Sequence, residues 1–272
     1  MHFLIFKKVQ LFFRKSFLSL SLSAALLIVG FYPMTCKAWI LAAFIFFCVE
    51  STYTLHRLAK FKLNLLLPED NLWMKQNRPL VLFLFLLSSA MIILFFFLAE
   101  LQNSSSAKVY FALLCFLVVG YVVPFPMINL RNIPFVKSIT VTLAWTILII
   151  VFPTSFLAFQ TALFLPMLIL FLILALLGDW RDKDHDSVKL RTFPQVFSAQ
   201  STQLILSVLL FTDILISFYL LEGSKLISMS IGIGVLSIYC YFILFKLKHL
   251  NPDIVLMIIA VSAIILRTLG IH

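Results

Sequence analysis

Nine stretches of about twenty mostly apolar residues follow one another along the chain and limit what it can fold into. They cover residues 16–34, 37–55, 79–101, 107–126, 135–157, 160–178, 201–221, 226–246 and 252–271. A helix needs about 20 apolar residues to cross a hydrocarbon core about 30 Å thick. The 272 residues are 62% hydrophobic, and the connecting segments leave no room for a soluble domain. We therefore predict an all-α, polytopic membrane protein of about nine transmembrane helices, with residues 1–272 forming a single integral membrane domain.

The basic residues predict how these spans are oriented, because Lys and Arg near span ends stay on the cytoplasmic side of a membrane. Of the 21 Lys and Arg residues, Lys37, Lys108, Lys225 and Arg267 lie in one set of alternate loops, which leaves 17 in the other set. We expect a cytoplasmic N-terminus, a C-terminus on the opposite side, and a bacterial inner membrane as the location. The net charge of +10 is spread over these loops, so we expect no nucleic-acid partner.

Four of the eleven acidic residues lie within eight positions at the end of the sixth apolar stretch. If the sixth helix continues past that stretch, Asp179, Asp182 and Asp186 share one face, within an arc of about 60°, whereas Asp184 points away. Three carboxylates on one face repel each other, and a Mg²⁺ ion shared with a diphosphate would neutralise them. Surface salt bridges at a solvated helix end explain the same spacing, so the pattern alone leaves both interpretations open.

The residues that follow make the acidic pattern more specific. The sequence reads Asp179-x-x-Asp182-x-x-x-Asp186 and continues with Arg191-Thr-x-Pro. This pattern resembles the second aspartate-rich motif of the UbiA superfamily of intramembrane prenyltransferases. Two weaker similarities lie at 131–145, which resembles the segment entering the fifth helix of that family, and at 78–80, which resembles the start of its third helix.

The resemblance implies a single UbiA-like domain that transfers an isoprenoid chain from a prenyl diphosphate to an aromatic or lipid acceptor. It implies Asp179, Asp182 and Asp186 as catalytic residues and ligands of Mg²⁺, with a single ion as one option, and Arg191 and Lys137 as contacts of the diphosphate. The implied partners are the prenyl diphosphate donor, a hydrophobic acceptor and the lipid bilayer. Negative charge collects on the diphosphate as the carbon–oxygen bond breaks, so cations held in place there lower the barrier.

The first aspartate-rich motif of the family, expected at the end of the second helix, has no carboxylates here. The spacing places Tyr53, His56 and Lys60 where the family has three aspartates, and Arg57 borders the same helical face. In one interpretation these four residues bind the diphosphate, and the second motif keeps a single Mg²⁺. In the other, Arg57 and Lys60 pair with the acidic motif, and the chain is a catalytically inactive homologue that binds a lipid or isoprenoid.

Two other acidic residues support an alternative of a different class. Asp213 lies inside the seventh stretch, where it is either a functional residue or a buried carboxyl bonded to a neighbouring helix. Glu50 is expected near the interface as a salt-bridge partner of Arg57 or Lys60. A membrane transporter that uses Asp213 and Glu50 as an ion or proton relay is therefore the second alternative. The mixed segment 64–77 is expected to form an interfacial lid or an amphipathic connector.

Overall fold

The structure, a computed structural model, is helical throughout the part of the chain that it describes. That part comprises residues 12, 15–64, 66, 68–122, 135–155, 157, 161–183, 192–222, 225, 227, 229, 231 and 253–269. The main helices are α1 (Leu18–Phe31), α2 (Cys36–Lys62), α3 (Pro68–Leu98), α4 (Ser105–Val122), α5 (Val136–Thr146), α6 (Thr161–Asp182), α7 (Ala199–Leu220) and α8 (Asp253–Thr268). No strand occurs among these residues, which confirms the all-α prediction.

Five helices of the described part are long and apolar enough to cross a membrane. They are Cys36–Lys62, Pro68–Leu98, Val136–Thr154, Ala162–Trp180 and Gln200–Leu220, and three shorter apolar helices lie at Leu18–Phe31, Ser105–Tyr121 and Val255–Leu266. The chain is therefore an integral membrane protein with several spans. The eighth predicted span, 226–246, lies almost entirely outside the described residues, so the total of nine stays a prediction.

Helices α2 and α3 extend well beyond the apolar stretches from which they were predicted. The helix α2 runs to Lys62, so its last turns carry the positions that replace the first aspartate-rich motif. The helix α3 begins at Pro68, with Glu69 and Asp70 in its first turn. Proline at the start of a helix and acidic residues in the first turn both favour a helix N-terminus. Most of the segment 64–77 is therefore the start of α3 and not a separate lid.

The helix α1 packs closely against α8 and reaches the helical turn that follows α5. A β-carbon at Gly30 would lie 3.0 Å from Ala263 Cβ and 3.1 Å from the carbonyl oxygen of Ala260, so the two backbones approach each other as small residues allow. At the end of α1, the Tyr32 hydroxyl is 3.2 Å from the carbonyl oxygens of Ile149 and Ile150. These carbonyls belong to a π-helical turn that continues α5, and the Tyr32 contacts satisfy them.

Helices α5 and α6 pack side by side, and this packing places the acidic motif. The first turn of α5 lies against the last turns of α6, where Lys137 meets Asp179. The helices α2 and α4 end on the same side, since His56 and Tyr121 contact each other with ring centroids 5.5 Å apart. We call this side the motif end of the bundle.

Candidate functional site

An apolar cavity of about 320 Å³ lies between α2, α4 and α5. Its walls come from residues 48–56, 111–121 and 140–148, with Ile92 added from α3. His56 and Tyr121 lie at the motif end of this cavity. About halfway down, Trp145 Nε1 donates a hydrogen bond of 3.4 Å to the Tyr53 hydroxyl. The cavity is therefore polar where it faces the motif end and apolar at depth, as a site for a lipid-tailed ligand requires.

A buried ion pair lies one helical turn from this cavity. Asp179 is only 2% exposed, and its Oδ1 lies 2.7 Å from Lys137 Nζ. Ser138 Oγ donates a hydrogen bond of 2.5 Å to Asp179 Oδ2. Thr140 and Val141, one turn further along α5, line the cavity. The carboxylate of Asp179 thus combines full burial, a cation and a hydroxyl donor at the mouth of an apolar chamber.

The remaining residues of the predicted acidic motif are only partly described. The helix α6 ends at Asp182, one turn after Asp179, so the two positions share a helical face as predicted. Asp186 and Arg191 lie outside the described residues. In the part of the chain that the structure covers, no three His, Cys, Asp or Glu side chains form a group that could hold a metal. The metal-binding role of the three aspartates stays a prediction.

The chain after the motif folds back towards α6. Thr192 precedes a single-turn helix, Phe193–Val196, and its N–H donates a hydrogen bond of 3.0 Å to the Gln195 side chain. Gln195 Nε2 in turn donates to the carbonyl oxygen of Lys183, 3.3 Å away. These contacts hold the residues that follow the motif next to the end of α6.

Of the residues at the first-motif positions, Tyr53 and His56 line the cavity, whereas Lys60 and Arg57 are not among its lining residues. The sequence placed all four on or beside one face of α2. Lys60 lies one turn beyond His56, on the last turn of the helix, which puts it past the cavity wall. The four residues therefore do not form one continuous basic face. Tyr53 and His56 face the cavity, whereas Arg57 and Lys60 do not.

Arg57 is turned towards the starts of α1 and α3. Its guanidinium lies 4.6 Å from the centroid of the Phe17 ring and 5.4 Å from that of Trp73, and it donates a hydrogen bond to the carbonyl oxygen of Lys15. Lys15 Nζ also lies 2.8 Å from Asp70 Oδ1. Cation–π contacts and a buried carbonyl make Arg57 a clasp between three segments. The contact of Arg57 with the diphosphate or with the acidic motif stays a prediction.

Two acidic residues are buried inside the bundle. Glu50 is 1% exposed, and its Oε2 accepts a hydrogen bond of 2.9 Å from Ser21 Oγ of α1. The expected pairing of Glu50 with a basic residue at the interface is therefore wrong, because its side of α2 faces α1. Asp213 is 0% exposed, and neither of its carboxyl oxygens, nor the hydroxyl of Ser217 one turn later, has a hydrogen-bond partner in the described part. The role of Asp213 stays open.

Several contacts around the cavity were not predicted from the sequence. Tyr121 belongs to no recognisable motif, Ser138 and Trp145 lie in the segment 131–145 but had no role predicted there, and Lys137 was predicted to contact phosphate and not Asp179. Their pairing depends on which turns of α2, α4, α5 and α6 lie at the same level. A hydroxyl next to Lys137 on the segment entering α5 was the one available signal for Ser138.

Three solved structures share this fold. A UbiA homologue from Archaeoglobus fulgidus bound to GPP and Mg²⁺ matches with a TM-score of 0.62 and 17% identity, covering 94% of this chain and 95% of that chain. A structure of a UbiA homologue from the same organism bound to DMAPP and Mg²⁺ matches with a TM-score of 0.62, 15% identity and the same coverage. The apo structure of a UbiA homologue from Aeropyrum pernix K1 has a TM-score of 0.61 and 13% identity, and the match covers 93% of this chain and 98% of that chain.

These similarities define the class of fold. No protein-family model matches the chain, and no curated protein matches it by sequence. The structural matches extend over nearly the whole chain, so the chain has the fold of UbiA homologues. This confirms, for the fold, the resemblance that the acidic motif indicated.

Proposed function

We propose that the chain, as a single domain over residues 1–272, is a UbiA-type prenyltransferase. It binds a prenyl diphosphate at the motif end and transfers the isoprenoid chain to an aromatic or lipid acceptor. The observation that carries this proposal is the position of Asp179, which is buried, and of Lys137, which is partly buried and 2.7 Å away, one turn above an apolar cavity. The structurally similar proteins were bound to GPP or DMAPP with Mg²⁺, which supports the same ligand class here.

The donor set at the end of α6 suits Mg²⁺. This ion usually takes one or two carboxylates together with substrate phosphates and keeps several waters. Lys137 and Ser138 use two of the roughly four lone-pair positions of the Asp179 carboxylate, so positions for a metal remain. Held by Asp179, Asp182 and Asp186, the ion would neutralise the charge that develops on the leaving diphosphate.

The protein's own groups account for the other requirements of the reaction. The ammonium of Lys137 lies beside Asp179, where it would donate hydrogen bonds to phosphate oxygens and stabilise the departing diphosphate, and we assign the same role to Arg191. The apolar walls exclude water from the allylic cation, which would otherwise be hydrolysed. Tyr53 and Trp145, which line the cavity and are joined by a hydrogen bond at mid-depth, are the aromatic groups that would stabilise that cation through their π-electrons. His56 lies nearer the diphosphate, at the cavity mouth.

A second candidate function is supported by the same ion pair. Lys137 and Ser138 already satisfy Asp179 without a metal, and the first-motif positions carry no carboxylate. A chain of this kind would be a catalytically inactive homologue that binds an isoprenoid or another lipid in the cavity. It differs from the first candidate in needing no Mg²⁺.

Binding of farnesyl thiodiphosphate, a donor that reacts very slowly, separates the two candidates. The purified protein in detergent is titrated with and without Mg²⁺, as wild type, Asp182→Asn and Asp184→Asn. Asp184 is the matched control, because it lies between the aspartates of the motif in the sequence but is not one of them. Binding that requires Mg²⁺, is lost in Asp182→Asn and persists in Asp184→Asn supports the transferase. Binding that is the same with and without Mg²⁺ supports the inactive homologue, and no binding contradicts both the transferase and an inactive homologue that binds isoprenoid diphosphates.

A further inference from the structure

The cavity has the same depth along each of the three helices that form its walls. Its lining runs over 48–56 on α2, 111–121 on α4 and 140–148 on α5. At a rise of 1.5 Å per residue, these lengths correspond to about 12–15 Å. The cavity is therefore a shaft of that length, roughly parallel to the helices, which begins one turn below Asp179.

Four phenylalanine rings close the deep end of the shaft. The ring of Phe111 lies 5.9 Å from that of Phe44 and 5.5 Å from that of Phe96, and Phe44 stacks on Phe152 with centroids 5.4 Å apart. Phe44 and Phe152 are 0% exposed. We call these four residues the aromatic floor. Because protein interiors are close-packed, Phe111 cannot move deeper without displacing its neighbours.

The length and the volume of the shaft both indicate how long an isoprenoid chain it can hold. One isoprene unit adds four main-chain carbons, which project to about 5 Å at bond lengths near 1.5 Å, so two to three units fit its depth. An apolar cavity of about 150 Å³ accommodates the six carbons of benzene. On that scale, the volume of about 320 Å³ corresponds to about thirteen carbons. Both measures fall between a ten-carbon and a fifteen-carbon chain.

We infer that the aromatic floor limits the donor to geranyl and farnesyl chains, and that Phe111 is the residue that excludes geranylgeranyl and longer chains. This inference rests on the proposed function, because it takes the diphosphate to be held beside Asp179 while the tail extends towards Phe111. A twenty-carbon chain anchored in that way is longer than the shaft by at least one isoprene unit. Its end must either displace the floor or fold back within a volume that is already filled.

The test compares the affinities of the full-length protein for geranyl, farnesyl and geranylgeranyl thiodiphosphate in the presence of Mg²⁺. We expect geranylgeranyl thiodiphosphate to bind about tenfold or more weakly than farnesyl thiodiphosphate, as expected for several methylenes that do not fit a pocket. Phe111→Ala should reduce that ratio to about threefold or less. Phe116→Ala is the matched control, because Phe116 lies on the same helix but is 67% exposed, and it should leave the ratio unchanged.

Thiol labelling provides a second measurement, which reports where the tail lies. Cys115 and Cys36 are both exposed, but Cys115 lines the cavity one turn from Phe111, whereas Cys36 lies at the start of α2, outside the cavity. Farnesyl thiodiphosphate should protect Cys115 from a small apolar thiol reagent and leave the labelling of Cys36 unchanged, as read by mass spectrometry. Binding of all three donors with equal affinity would overturn the inference but not the proposed function, as would binding without protection of Cys115. Failure of all three to bind would contradict the proposed function and the inference with it.

Discussion

Removal of the Lys137 ammonium should destabilise the folded protein strongly. Lys137→Met keeps most of the side-chain volume but leaves the Asp179 carboxylate, 2% exposed, without its cation. At the observed 2.7 Å, two unit charges attract by about 6 kcal/mol at an effective dielectric constant near 20. The cost of desolvating both groups offsets part of this attraction, and removal of one partner from a buried pair costs about 3–5 kcal/mol. We expect Lys137→Met to lower the free energy of unfolding by that amount.

A double-mutant cycle measures the interaction itself. The free energy of unfolding is determined by titrating the protein in mixed micelles with SDS, for wild type, Lys137→Met, Asp179→Asn and the double variant. The two single changes remove the same contact, so we expect a coupling free energy of about 2 kcal/mol. Lys183→Met is the control, because the ammonium of Lys183 lies 4.4 Å from the centroid of the Trp180 ring, and loss of this contact should cost about 1 kcal/mol or less. A coupling below about 0.5 kcal/mol would refute the reasoning.

Three further predictions concern the packing around the site. Gly30→Ala should destabilise by about 1–3 kcal/mol in the same SDS titration, because its β-carbon meets α8, whereas Gly178→Ala, with no atom within 4 Å, should have no such cost. Equal effects of the two changes would argue against close packing of α1 and α8. Tyr32→Phe should cost about 1–3 kcal/mol through loss of the carbonyl contacts in the π-helical turn, and a neutral result would show that those carbonyls find other donors. Arg57→Ala should speed amide hydrogen exchange at the start of α3, while Arg57→Lys should restore it only in part; exchange that does not change would contradict the clasp.

The sequence predicted the helices from their apolar stretches but misplaced two of their ends. Hydropathy reports how much of a helix is buried in lipid, and it says nothing about polar turns that continue the helix into the interface. The last turns of α2 and the first turns of α3 are of this kind. Pro68, Glu69 and Asp70 are residues typical of a helix N-terminus, so helix-capping preferences predict this start where hydropathy does not.

The sequence predicted only those parts of the candidate site whose residues lie on a single helix. Asp179 and Asp182 share a face of α6 because they are three residues apart, and this spacing can be read from the sequence. The contacts of Lys137 with Asp179 and of Trp145 with Tyr53 depend on the relative heights of different helices, which no local pattern encodes. Arg57 illustrates the same limit, because the rings that turn it away from the cavity come from α3 and from the residue before α1.

A structure of the protein in a lipid nanodisc with farnesyl thiodiphosphate and Mg²⁺ tests the central claim most directly. The account predicts that the diphosphate lies beside Asp179 and Lys137 and that the farnesyl tail follows the shaft between α2, α4 and α5 to the aromatic floor. Density for the diphosphate elsewhere, or for a tail that lies outside this cavity, would contradict it.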